Sequence, residues 1–136
     1  MRHLLCVVVL ITLVGGVVGC GGSDSPAAPS FTFSGNWQGV AQDSAAGTGV
    51  FRATLTQNGG SVTGTWFIQF PAAAFQNSGS VSGTATNTSL SLTLTPSDPK
   101  TCPFHLSANG SGNQMSGTYA AFNCTGSIAG TFTASR

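Results

Sequence analysis

"FRATLTQNGGSVTGTWFIQF" (residues 51–70) carries the reading of the fold. Apolar and polar residues alternate on both sides of Asn58-Gly59, with Phe51, Ala53 and Leu55 sharing one phase and Val62, Gly64 and Trp66 another. Such period-2 alternation marks strands with one buried face. Asn-Gly between two of them signals a two-residue hairpin, because both residues tolerate the backbone that a tight turn needs. A turn centred there sets Leu55 opposite Val62, Ala53 opposite Gly64 and Phe51 opposite Trp66. Apolar then faces apolar along the ladder, an agreement that the turn rule does not itself impose.

The same pattern spreads outward in both directions. One short phrase occurs five times: "FSGNW" (33–37), "VTGTW" (62–66), "VSGTA" (81–85), "MSGTY" (115–119) and "IAGTF" (128–132). Its first, third and fifth residues share a face and its hydroxyls take the other. The glycine falls on the apolar face, where it lets the strand bend and leaves room for a bulky neighbour. A second turn at Asn87-Thr88 sets Ala85, Gly83 and Val81 opposite Leu90, Leu92 and Leu94. Strands are expected at 31–41, 49–57, 61–70, 79–86, 90–95, 101–108, 115–123 and 127–135, with the segment from Pro71 to Ser78 as a flap over one end. Short connections imply a meander, and the expected fold is all-β: an eight-stranded antiparallel up-and-down barrel over residues 31–136, closed so that no edge is left exposed. A two-sheet sandwich is the alternative.

Ahead of the barrel, Arg2 and His3 precede an apolar run and a small-residue boundary. That is the layout of a cleaved export signal over residues 1–19, too short to span a bilayer, which takes about 20 apolar residues. Val17-Val18-Gly19-Cys20 resembles the lipobox of bacterial lipoproteins. The resemblance implies that Cys20 becomes the first mature residue and carries lipid; an ordinary signal peptide ending on a cysteine is the alternative. Residues 20–30, rich in Gly, Ser, Pro and Ala, read as a flexible tether with an r.m.s. reach of about 15–20 Å. Gly21 stands where inner-membrane lipoproteins of enteric bacteria carry Asp, which by the same resemblance implies an exported protein anchored in the outer membrane.

Beyond the signal the chain has three basic residues (Arg52, Lys100, Arg136), three acidic ones (Asp24, Asp43, Asp98) and no glutamate. That count leaves nothing to build a basic patch for nucleic acid or a carboxylate cluster for hard cations. Cys102 and Cys124 remain as one pair in an oxidising setting and read as a disulfide; a metal site is the alternative, and it lacks partners because His105 is the lone mature histidine. The two cysteines fall out of phase across the sixth and seventh strands, so a β-bulge near Ala120-Ala121-Phe122 is expected to bring them together.

Gly35-Asn36-Trp37 on the first strand resembles the G-x-W that opens lipocalins and related calycin barrels, including avidins. In those families a basic residue late on the last strand packs across the tryptophan. The resemblance implies that role for Arg136, which shares inward parity with Phe132 and Ala134. Avidins carry Asn two positions after this tryptophan, and Gly39 stands there here.

Catalysis is not expected. No G-x-S-x-G nucleophile elbow occurs, the acids are too few for a carboxylate pair, and His105 takes the outward phase between Phe104 and Leu106. The composition calls for no cofactor or metal. Two functions remain. In the first, the barrel mouth takes a small apolar or amphipathic ligand, lined by Phe33, Phe51, Trp66, Leu92, Phe104, Tyr119 and Phe132. In the second, the barrel is filled and its uncharged exterior contacts a protein or polysaccharide of the envelope. Interior volume separates them, because eight strands lie near the boundary between packed and hollow.

Overall fold

The computed structural model describes residues 31–125 and 128–136. The signal segment, Cys20 and the tether lie outside the described residues. Eight strands follow one another: β1 (Gly35–Asp43), β2 (Gly47–Asn58), β3 (Ser61–Phe70), β4 (Phe75–Thr86), β5 (Ser89–Pro96), β6 (Phe104–Ser111), β7 (Gln114–Ala121) and β8 (Ala129–Ser135). Each pairs antiparallel with the next and β8 pairs with β1, so the meander closes into a barrel rather than a sandwich. One row of partners runs Gln57, Val62, Gly83, Leu92, Leu106, Tyr119, Gly130 and arrives on β1 at Asp43. That is ten residues beyond Phe33, the position level with Gln57 in the β1–β2 register. A stagger of this size tilts the strands about 40° from the barrel axis.

Inward phases fill the interior with Trp37, Phe51, Trp66, Phe104, Phe132 and a shell of Leu, Val and Ala, all buried. Aromatic rings meet directly: Phe51 and Phe132 lie 4.9 Å apart, Trp66 and Phe104 5.8 Å, Phe104 and Tyr119 6.2 Å.

The second hairpin has the expected register, with Ala85, Gly83 and Val81 facing Leu90, Leu92 and Leu94. The first turns one residue later than expected. Asn58 pairs with Ser61, the turn residues are Gly59-Gly60, and Leu55, Ala53 and Phe51 face Gly64, Trp66 and Ile68. Packing explains the difference: Trp66 now lies against a small residue instead of Phe51, and a slip of two leaves every side chain on its original face. The first residue of each two-residue turn is left-handed, with φ +60° at Gly59, +52° at Asn87 and +59° at Gly112. This is the II′ geometry that suits the twist of a hairpin.

Four other expectations change. The sixth strand runs from Phe104 to Ser111 rather than over 101–108. Residues 31–34 precede β1 instead of belonging to it. The segment after Phe70 is no flap: Pro71–Ala73 form one 3₁₀ turn, Ala74 adopts φ +49°, and β4 begins at Phe75, opposite Phe70. There is no bulge at Ala120-Ala121-Phe122 either. Ala120 and Ala121 pair regularly with His105 and Phe104, and the Phe122 N–H still donates to the Pro103 carbonyl at 3.1 Å. Pro103 has no N–H to return, so the ladder ends there. Asn123 then turns left-handed at φ +57°, and Cys124 joins Cys102 with Cα atoms 5.9 Å apart.

Candidate ligand site at the far end of the barrel

The two ends of the barrel differ because the connections do. At the end that holds Phe31 and Phe33, each two-residue turn is tied to the neighbouring chain: Ala85 N donates to Gly60 O (2.9 Å), Gly110 N to Thr88 O (2.8 Å) and Arg136 N to Asn113 O (3.1 Å). Phe33 plugs the centre, fully buried, and Phe31 packs edge-on against it at 4.7 Å. The Trp37 indole N–H donates to the Phe33 carbonyl at 2.8 Å. This end is sealed.

The far end carries the longer loops, and its packing is looser. Beneath its rim lies a wholly apolar cavity of about 20 Å³, walled by Phe51, Trp66, Phe70, Phe75, Phe104 and Tyr119 among others. That is room for about one water molecule. Phe70, Phe75 and Ile128 divide it from a shallow outer depression of about 260 Å³, which also touches Asp43, Ala46 and Ala73. Phe75 is half-buried and Ile128 is 37% exposed, so the dividing wall is thin on that side. Larger hollows of about 640 and 460 Å³ lie on the outer wall, between rows of Ser, Thr, Asn and Gln.

A polar pair stands at the rim. Asp43 is buried, its Oδ1 accepts from the N–H groups of Ala45 and Ala46 at 2.8 Å each, and its Oδ2 accepts from the Tyr119 hydroxyl at 3.2 Å. Burial, and then the Asp43 carboxylate beside it, push the Tyr119 hydroxyl well above the ordinary tyrosine value. Glycine at 130 makes room, since a Cβ there would come within 2.5 Å of the Tyr119 oxygen. Among the described residues, two further buried donors have no partner, Trp66 Nε1 and Asn77 Nδ2.

Of the seven residues expected to line a ligand, the structure brings Phe51, Trp66, Phe104 and Tyr119 around the cavity. Phe33 belongs to the plug at the opposite end, and Leu92 and Phe132 are buried in the packed core. Trp37 and Arg136 meet at the sealed end, not at the site. His105 is exposed and stacks on Phe122 at 3.9 Å. Sequence reading missed Phe70, Phe75, Ile128, Asp43 and Asn77. Phase alone carried a signal for Asp43, which shares inward parity with Trp37 and Ala41.

No protein-family model matches the chain, and a search of curated proteins finds no match.

Proposed function

We propose that this chain is a non-catalytic, lipid-anchored protein of the cell envelope that binds a small apolar or amphipathic molecule at the far end of its barrel. The asymmetry of the two ends carries this reading. The described chain starts at the sealed end, with Phe31 against Phe33, so on this reading an anchor on Cys20 holds that end toward the membrane and presents the other outward. At that outward end an apolar depression overlies an apolar void, and three side chains stand between them. Such a concave, mostly apolar hollow beside a few fixed polar groups is the usual form of a small-molecule site. Gly21 after the anchor cysteine supports the outer membrane as its location. Nucleic acid is not among its partners on this reading.

One observation favours the second reading, a filled barrel that docks a protein or polysaccharide: the enclosed void is only about 20 Å³. Organic extraction of the protein purified from its native membrane, followed by mass spectrometry, separates the two. The binding reading expects one compound recovered near stoichiometric amount, and an empty extract together with no uptake of small apolar probes overturns it. The anchor is tested separately. Cys20→Ser should move the protein from the membrane to the soluble fraction, and unchanged membrane retention overturns the lipoprotein assignment.

A further inference from the structure

We propose that the outer wall of β1, β2 and β3 carries a second site, a hollow in which Arg52 and Arg136 hold a phosphate ester. It lies apart from the far-end depression and does not depend on what that depression takes. The hollow measures about 380 Å³, and its lining includes both arginines with Asn36, Gln38, Thr65 and Phe67. The register of the sheet gathers them. Outward phase places Arg52 between Gln38 and Phe67, and the next row toward the sealed end places Thr54 between Asn36 and Thr65. Arg136, just beyond β8, joins them from the end of the barrel because β8 pairs with β1.

The hollow concentrates positive charge. Arg52 and Arg136 are two of the three Lys and Arg side chains among the described residues, and no carboxylate side chain lines the hollow with them. Asp43 stands at the far rim, bonded to Ala45, Ala46 and Tyr119, and Asp98 accepts from the Lys100 N–H in the loop after β5. The carbonyls of Thr32, Ser34 and Gly112 satisfy N–H groups of Arg136 without cancelling its charge. Arg52 is exposed, its guanidinium carbon 6.0 Å from the Phe67 centroid, so its fork is within reach of a ligand. The Thr54 hydroxyl donates to Asn36 Oδ1 at 2.9 Å, which leaves the Asn36 amide nitrogen to donate. Two cations and an amide donor suit one phosphate, whose oxygens outnumber those of a carboxylate and match guanidinium forks in pairs. The Phe67 face beside Arg52 receives the carbon side of the ester. A track for nucleic acid needs many more cations. The ester comes from a lipid headgroup or from a soluble molecule. The described chain starts against Arg136, whose guanidinium lies 5.4 Å from Phe31, so on the anchor reading the hollow stands at the membrane surface.

NMR of the full-length protein labelled with 15N-arginine tests this, in dodecyl maltoside micelles, which carry no phosphate. The probes are glycerol phosphate, glycerol, and sodium chloride matched in ionic strength. Glycerol phosphate should move the side-chain N–H resonances of Arg52 and Arg136 along one saturating curve, and glycerol and chloride should not. Arg52→Gln, read at Arg136, should weaken binding about tenfold without changing the melting temperature, and Arg52→Lys should recover part of it. Added salt should weaken binding to the parent, because the site is open to solvent. Nanodiscs containing phosphatidylglycerol then separate the two sources. Arg52 in its phosphate-bound position before any ester is added assigns the lipid headgroup, and arrival there only with glycerol phosphate assigns a soluble ester. Shifts that grow linearly, that chloride reproduces, or that survive Arg52→Gln unchanged overturn the site. Such a failure leaves the far-end binding reading as it stands.

Discussion

Arg136 lies across Trp37, its guanidinium carbon 4.9 Å from the indole centroid, and across Phe31 at 5.4 Å. The same guanidinium donates to the carbonyls of Thr32 (2.6 Å), Ser34 (2.7 Å) and Gly112 (3.4 Å). It thus fastens the segment before β1 to the turn after β6, and it closes the sealed end from outside rather than from within the barrel. Arg136→Ala should lower stability by about 1 kcal/mol, a modest figure because the side chain is exposed. Arg136→Lys should recover little of it, since an ammonium has no planar fork to span three carbonyls. Thermal unfolding of both variants is the measurement. A lysine variant as stable as the parent would show that charge alone matters there.

The inward glycines come next. Built onto Gly64 or Gly117, a Cβ would strike the backbone carbonyl of Thr54 or Ser107 on the neighbouring strand. The sequence suggested room for a bulky side chain; what occupies the space is main chain, brought close by the strong coiling of a tilted barrel. Gly64→Ala and Gly117→Ala should each cost about 1–3 kcal/mol by overpacking. Gly60→Ala is the control, since its nearest contact is 3.6 Å away and its φ is not left-handed, and it should be almost neutral. Chemical denaturation of the three variants checks this, and comparable losses in all three would refute the overpacking account.

Much of the barrel was legible because one rule, period-2 alternation, acts locally. Ala85 facing Leu90 follows from turn position and phase alone. What escaped depends on groups distant in sequence. Whether Gly59 opens the β2–β3 turn was decided by the fit of Trp66 against Ala53, not by the Asn-Gly dipeptide. The Asp43–Tyr119 hydrogen bond joins residues 76 apart, and nothing near Asp43 announces it. Ring positions in the core depend equally on closure: Phe51 meets Phe132 because β8 returns to β1.

Tyr119 is the chain's one tyrosine, so its ionisation can be followed by phenolate absorbance without interference. Its folded-state value lies above the unfolded one, which is about 10. Stability from this group is therefore complete below pH of about 10, and it falls as pH rises beyond that, because the unfolded chain releases the proton first. The native protein should resist phenolate formation in that range and lose stability progressively. Tyr119→Phe should be less stable near neutrality, where the hydrogen bond to Asp43 is missing, yet show a flatter alkaline decline. Gly130→Ala should imitate part of this by pushing the hydroxyl from Asp43. Ordinary titration of Tyr119 in the folded protein would refute the buried pair.

The Cys102–Cys124 bond ties the loop after β5 to the loop after β7, beside the rim that holds Ile128. With a sequence separation of 22 it should stabilise the fold by about 3 kcal/mol through restriction of the unfolded chain. The paired Cys102→Ala/Cys124→Ala variant should lose that amount while keeping its β-sheet spectrum, because the β6–β7 ladder is already complete at Phe104 and Ala121. The geometry of the bond depends on Asn123, whose left-handed φ of +57° replaces the bulge that the phase conflict called for. Asn123→Gly should therefore be tolerated, and Asn123→Val should cost about 1–2 kcal/mol, since a β-branched residue is strained at positive φ. In the cysteine-free background the Asn123→Val penalty should shrink, because an unbridged loop is free to take another path. A penalty of the same size in both backgrounds would mean that Asn123 is fixed by the ladder's end and not by the bond.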